Sequence, residues 1–285
     1  MYYGLDIPPF GPLGDALVLA GLAREAEDAG WDGFFIWDHI AREWRVDVVD
    51  TWIALAAIAM QTATIRFGPL VTPLPRRRPW KLARETVSLD HLSGGRLVFG
   101  VGLGSGRDCE WRNMGEETDL KTRGAMADEG LEIITRLWYG ESFSFEGQHY
   151  TITDAHFTPK PLQQPRIPIW TGGYWPARPP FRRAARWDGV FPLGKQGGLL
   201  QPADIRVIVD FVGEHRQSSA PFDVVYRHPA VTDLDQGREL VTAYADAGAT
   251  WWLEAIHPVH FGGNWEGDWM VERMRARILQ GPPRI

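Results

Sequence analysis

The order of short apolar runs and longer amphipathic runs along the 285 residues predicts an α/β fold: a (β/α)8 TIM barrel with an insertion between its fourth and fifth strands. Three observations carry this expectation. Eight strand candidates alternate strictly with eight helix candidates, which demands a parallel sheet with right-handed crossovers. The strand runs are apolar on both faces, as a sheet covered by helices requires. The length suits one barrel of about 250 residues with an addition. No linker breaks the alternation, which disfavours a doubly wound sheet with a second domain, and residues 1–285 are read as a single barrel domain.

Tyr2–Asp6 is the first strand, and Asp15–Ala29 the first helix, because Leu19, Leu22, Ala23 and Ala26 recur at helical spacing and Gly30 supplies a stop. Gly33–Trp37 is the second strand and Val49–Thr62 the second helix. Arg66–Thr72 follows as a strand, and Pro79 opens a helix that runs to His91 and ends at Ser93-Gly94-Gly95. Leu97–Val101 is the fourth strand, and Thr122–Tyr139 a long helix closed by Gly140. The remaining strands are Ile167–Thr171, Gly189–Phe191, Asp223–Arg227 and Thr250–Glu254, with helices at Ala177–Trp187, Ala203–Arg216, Asp235–Ala247 and Trp269–Leu279. Within the oversized fourth unit, Ser142–Ile152 alternates around Glu146-Gly147 and reads as a β-hairpin laid over one end of the barrel.

Composition narrows the function. A net charge of −6 argues against a nucleic-acid surface, which needs clustered Lys and Arg. The single cysteine, Cys109, permits no internal disulfide and points to a reducing compartment, the cytoplasm by default. The N-terminus lacks an export signal, and no apolar run reaches the roughly 18 residues of a membrane span. Fourteen tryptophans exceed ordinary core needs and suit flat aromatic ligands.

A barrel of this kind carries its active site at the C-terminal ends of its strands. There the sequence places Asp6, then Asp38 and His39, then His228, then Glu254, His257 and His260. A metal site is disfavoured: the first strand ends in Asp6-Ile7-Pro8 with no His-x-His pair, and His257-x-x-His260 straddles a proline. The run Gly100-Val101-Gly102-Leu103-Gly104 fails the dinucleotide fingerprint, since no helix follows it directly. Its glycines either admit a flat ring or phosphate to the backbone or serve tight turns, and Gly172-Gly173 poses the same alternative, with Thr171, Arg178 and Lys195 near it as phosphate partners. There is no GxSxG, and no motif marks Cys109 as an activated thiol.

Several segments together resemble the bacterial luciferase-like family of reduced-flavin monooxygenases and F420-dependent oxidoreductases. They are Gly30-Trp31-Asp32-Gly33-Phe34-Phe35-Ile36-Trp37-Asp38-His39, Pro69–Pro79, Leu89-Asp90-His91-Leu92-Ser93-Gly94-Gly95-Arg96-Leu97 and Gly100–Gly104, with Pro168-Ile169-Trp170-Thr171-Gly172-Gly173 and Ala184–Gly189 further on. The similarity spans roughly Gly4 to Gly194. It implies a ring-shaped cofactor in the barrel mouth: reduced FMN, supplied by a separate flavin reductase, or alternatively F420. The family's F420 dehydrogenases carry a glutamate within the fourth-strand glycine loop, whereas here Ser105-Gly106-Arg107-Asp108 precedes Glu110; Arg178 and Lys195 also suffice for one phosphate better than for a polyglutamate tail. FMN is therefore expected ahead of F420.

Carried over by position, the resemblance implies that His39 is the general acid or base, that Asp38 orients it, and that Leu70-Val71 holds a non-prolyl cis peptide behind the ring. It further implies that Gly104, Thr171, Gly172 and Gly173 line the ring and tail. Trp37, Trp44, Trp170 and Trp175 are candidate cavity walls, and Trp44, Trp175, His228, Glu254 and His257 the expected substrate pocket. The expected activity is oxidation or reduction of a small organic substrate, most specifically as a monooxygenase with O2, in a homo-oligomer. The rivals are a flavin-binding barrel without turnover and a metal-dependent barrel hydrolase.

Overall fold

In the computed structural model, which describes residues 1–106 and 108–285, parallel strands wrap into a nearly closed barrel with helices outside. The barrel strands and their helices are β1 (Tyr2–Ile7), α1 (Ala16–Asp28), β2 (Gly33–Ile36), α2 (Thr51–Gln61), β3 (Arg66–Pro69), β4 (Thr72–Pro73), α3 (Pro79–Ser93), β5 (Phe99–Gly102) and α4 (Leu120–Tyr139). A hairpin of β6 (Phe143–Glu146) and β7 (Thr151–Ala155) follows. Then come β8 (Ile169–Trp175), α5 (Arg178–Ala184), β9 (Gly189–Gly194), α6 (Pro202–His215), β10 (Asp223–Pro229), α7 (Leu234–Asp246), β11 (Trp251–Ala255) and α8 (Val271–Leu279). The order around the sheet is β3-β2-β1-β11-β10-β9-β8-β5-β4.

The third strand expected over 66–72 is split. Its first half pairs with β2 and its second half with β5, and the Leu70–Val71 peptide between them is cis. A Phe67–Leu97 bridge draws the two ends of the sheet together. Strands β8 and β9 run further than their apolar runs suggested, because their register continues unbroken from Trp170↔Gly189 to Trp175↔Gly194.

Capping explains where the helices begin and end. Asp15, Asp50, Asp119 and Asp233 each accept backbone N–H groups from the first turn of α1, α2, α4 and α7. Helices α3 and α4 stop at Gly94 and Gly140, both in the left-handed region. Two apolar layers result. Phe35, Leu70, Val98, Trp170, Phe191, Val225, Trp251 and Leu253 fill the barrel interior, and a larger cluster lies between strands and helices.

The inner layer corrects the expectation drawn from tryptophan. Trp170 and Trp251 are fully buried there, their rings 5.2 Å apart. Glycine makes the room: a Cβ at Gly33 would lie 2.7 Å from Trp251, and one at Gly189 2.4 Å from Trp170. Trp170 is thus barrel filling and no cavity wall.

The hairpin also departs from expectation. It lies along α3 and α4 on the barrel's flank, where Tyr150 meets Trp80 and Phe143 meets Arg136. Its turn is held by Glu129 of α4, whose carboxylate accepts the N–H groups of Gln148, His149 and Tyr150. Among the described residues no helix is long and apolar enough to cross a membrane.

Candidate active site

Strand β2 delivers Trp37, Asp38 and His39 to the mouth. Asp38 is 2% exposed and fully engaged: it accepts from Thr72 Oγ1 at 2.9 Å and Trp52 Nε1 at 3.3 Å, and Arg77 Nη2 lies 2.7 and 2.9 Å from its two oxygens. Asp38 therefore anchors the second-strand loop to β4 and to Arg77. It does not orient His39, as its adjacency suggested.

That part is taken by Glu110. Its Oε2 lies 2.7 Å from His39 Nδ1, and its Oε1 accepts the N–H of Ile40 at 2.8 Å. Arg76 Nη1 approaches Oε1 to 3.1 Å, out of line for a hydrogen bond, so that contact is Coulombic. Burial would raise the Glu110 pKa, but the bond from His39, the Ile40 N–H and the Arg76 charge outweigh it and bring the carboxyl down to about 2. On the other side of the ring Arg42 Nη1 lies 3.4 Å from His39 Nε2. An arginine can only donate, so Nε2 is an acceptor and the proton sits on Nδ1, facing Glu110. The loop that presents Glu110 is pinned beside it: Trp111 is buried under the Arg123 guanidinium at 3.3 Å. A Cβ on Gly104, whose φ is +79°, would lie 2.3 Å from that indole. Gly104 is thus accounted for by Trp111. Arg107, which the sequence places ahead of Glu110, lies outside the described residues.

A second imidazole faces a second carboxylate on the neighbouring strands, with the Trp37 ring between it and His39. Asp6, at the end of β1 and without solvent exposure, accepts from Trp37 Nε1 at 2.8 Å, Arg227 Nη1 at 3.1 Å and His257 Nε2 at 3.1 Å. Burial pulls its pKa upward, yet Arg227, His257 and Trp37 together hold the carboxyl below its ordinary range. Burial pushes His257 down, against the upward pull of Asp6. The rings of Trp37, His257, Trp265 and Trp44 adjoin one another, Trp44 stacking on Trp265 at 5.2 Å and 8°. Between β9, β10 and β11 opens a pocket of about 290 Å³ bordered by Leu193, Leu200, Tyr226, Arg227, His257 and His260.

Alternation along a strand sorts the other expected residues. On β10 and β11, Val225 and Leu253 point inward, so His228 and Glu254 point outward. His228 stacks on Trp252 at 4.9 Å, and Glu254 accepts from Arg277 Nη2 at 2.5 Å, tying β11 to α8. Neither borders the mouth pocket. Trp175 packs on Phe181 of α5, with Arg178 over its ring at 4.4 Å, so both belong to the flank. Lys195 is exposed beyond β9.

The residues of the mouth fit a flat cofactor. Val71 crowns the interior layer, and Gly102 and Gly172 stand flush against it: added Cβ atoms would lie 2.5 and 3.0 Å from its methyl groups. The result is a floor with no side chain projecting from its glycines. The buried Ser105 Oγ and Thr171 Oγ1 have no hydrogen-bond partner among the described residues. Gly173 is explained differently, since a Cβ there would lie 2.3 Å from Pro180 of α5. Among the described residues no group of three or more His, Cys, Asp or Glu side chains converges as a metal site.

Arg76, Arg77, Glu110 and Arg227 were missed as site members in the sequence, and Asp6 was placed at the mouth without a role. Only Asp6 and Arg227 left a usable signal, the inward parity shared with Gly4 and Val225.

Residues 16–274 match the luciferase-like monooxygenase family. An F420-dependent glucose-6-phosphate dehydrogenase of Nakamurella multipartita is 32% identical over 249 residues, covering 84% of this chain and 69% of that one. In fold the chain is similar to the coenzyme F420-dependent tetrahydromethanopterin reductase of Methanopyrus kandleri, with a TM-score of 0.76 at 18% identity over 99% and 98% of the two chains. It is also similar to the oxygenating constituent of 3,6-diketocamphane monooxygenase of Pseudomonas putida in complex with FMN, with a TM-score of 0.66 at 22% identity over 85% and 71%.

Proposed function

Since the chain belongs to the luciferase-like monooxygenase family, we propose that it is an oxidoreductase that holds F420 in the barrel mouth and acts on a small organic alcohol or its carbonyl counterpart, with His39 handling the hydroxyl proton. The observation that carries this reading is the His39–Glu110 pair at 2.7 Å, which turns Nε2 away from the carboxylate and toward Arg42 at 3.4 Å. The glutamate that sequence position had put out of reach arrives on a short turn, Asp108–Glu110, and removes one of the two reasons for ranking FMN first. The similarity to an F420-dependent dehydrogenase over 84% of this chain favours the deazaflavin.

Val71, Gly102 and Gly172 would support the ring, and Ser105 would meet its polar edge. When bound, the deazaflavin supplies the two-electron chemistry that no side chain offers. With the substrate hydroxyl in place of the 3.4 Å Arg42 contact, His39 takes the hydroxyl proton at Nε2, or returns it in the reverse direction. Glu110 fixes the tautomer and stabilises the imidazolium that results. Arg76 and the Ile40 N–H keep Glu110 ionised and in place. Trp37, Trp44 and Trp265 restrict water at the rim.

Titration with F420 and with FMN, followed by anaerobic incubation with a panel of alcohols and loss of deazaflavin absorbance, tests this. Absence of F420 binding together with oxygen uptake in the presence of FMN and a flavin reductase would replace it with the O2-dependent monooxygenase reading.

A further inference from the structure

The pocket between β9, β10 and β11 has a polarity that the His39 side of the mouth does not share. Half of its lining is apolar, from Leu193, Leu199, Leu200 and Ala255, and half polar, including His257 and His260. Its charged border is Arg227, whose side chain is 27% exposed. The balancing carboxylate, Asp6, lies behind it, wholly buried and already accepting from Trp37, Arg227 and His257. Its lone pairs are thus turned toward the protein, while the remaining guanidinium donors and the imidazole of His260 border the cavity. His260 stacks on His257 at 5.4 Å and 22°, which sets the plane of its ring.

A cavity with one accessible fork of cationic donors, a donor-capable imidazole and a lining half aliphatic and half polar selects a ligand with one oxyanion group on a small organic body. We propose that this pocket recognises the anionic group of the substrate, a carboxylate, sulfonate or phosphate ester of a small organic molecule, with Arg227 and His260 as its binding residues. This rests on the proposed oxidoreductase function for the meaning of the word substrate, but the pocket's preference for an anion stands on its own.

The test uses the cofactor-free protein and two probes of one shape, benzoate and benzyl alcohol, followed by tryptophan fluorescence at constant ionic strength. Benzoate is expected to bind about tenfold or more tightly than the alcohol, and Arg227→Gln to erase the difference. Arg227 also pairs with Asp6, so a second variant guards against misfolding: His260→Gln, at the rim, is expected to weaken benzoate alone about threefold. Equal binding of the two probes, or wild-type benzoate affinity in both variants, overturns the proposal. So does displacement of benzoate by F420, which would make the pocket a seat for the cofactor's anionic tail. Failure of F420 to bind while benzoate binding persists would overturn only the oxidoreductase reading.

Discussion

His39 and His257 both face a buried carboxylate across the same mouth, yet they differ in which nitrogen is committed and in what carries the partner. His39 gives Nδ1 to Glu110, 71 positions away on a loop, has among the described residues only the 3.4 Å Arg42 contact at Nε2, and is 16% exposed in its side chain. His257 gives Nε2 to Asp6, on a strand paired on both sides, and is 7% exposed. The loop-borne pair leaves Nε2 to a long contact from Arg42 that a substrate hydroxyl can replace, as proton transfer needs. The strand-borne pair has the rigidity that binding needs. The contrast assigns chemistry to the β2 end of the mouth and recognition to the adjoining ends of β1 and β11.

Breaking the strand-borne pair has the largest expected effect, and on stability. Asp6→Asn leaves Arg227 without its counter-charge and is expected to cost about 3 kcal/mol, read as a lowered urea midpoint. A loss within experimental error would make Asp6 dispensable to the barrel and the contrast false. The loop-borne side is expected to respond in rate. His39→Ala should fold normally and lose about 100-fold or more in turnover, and wild-type turnover would remove His39 from the chemistry.

Acid sharpens the comparison from the loop side. The Glu110 pKa is lower in the folded protein than its ordinary 4.5, at about 2. Its contribution, about 3 kcal/mol at most, is therefore fully present above the unfolded value and disappears as pH falls through the folded one. Wild type and Glu110→Gln should differ in urea midpoint near neutrality and converge between about pH 4.5 and 2; parallel curves would mean that Glu110 is not held ionised. The smallest effect is expected at the floor. Gly172→Ala places a Cβ 3.0 Å from Val71, and a loss of F420 affinity of about threefold with unchanged stability is expected. Unaltered affinity would separate that floor from the cofactor.

The alternation of strands and helices made the barrel legible, because a parallel sheet leaves few other ways to connect eight such units. The site was legible only where chemistry and chain order coincide, as at His39. Glu110 was visible as a residue but not as a partner, since its reach depends on a turn pinned by Trp111 and Arg123. His228 and Glu254 were misplaced because proximity to a strand's end was weighed without its two-residue period. Arg227, one position from His228, has the parity that faces the mouth. The excess of tryptophan misled for a related reason: composition does not tell which rings fill the inside of a barrel.

Glu129 carries one more consequence, for transplantation. The hairpin turn it grips at Gln148, His149 and Tyr150 has its fastening on α4, outside the inserted segment, and Gly147 leaves no space for a side chain against that carboxylate. Grafted onto another barrel, residues 142–155 would arrive without their clasp unless the recipient helix also received a glutamate at the matching turn.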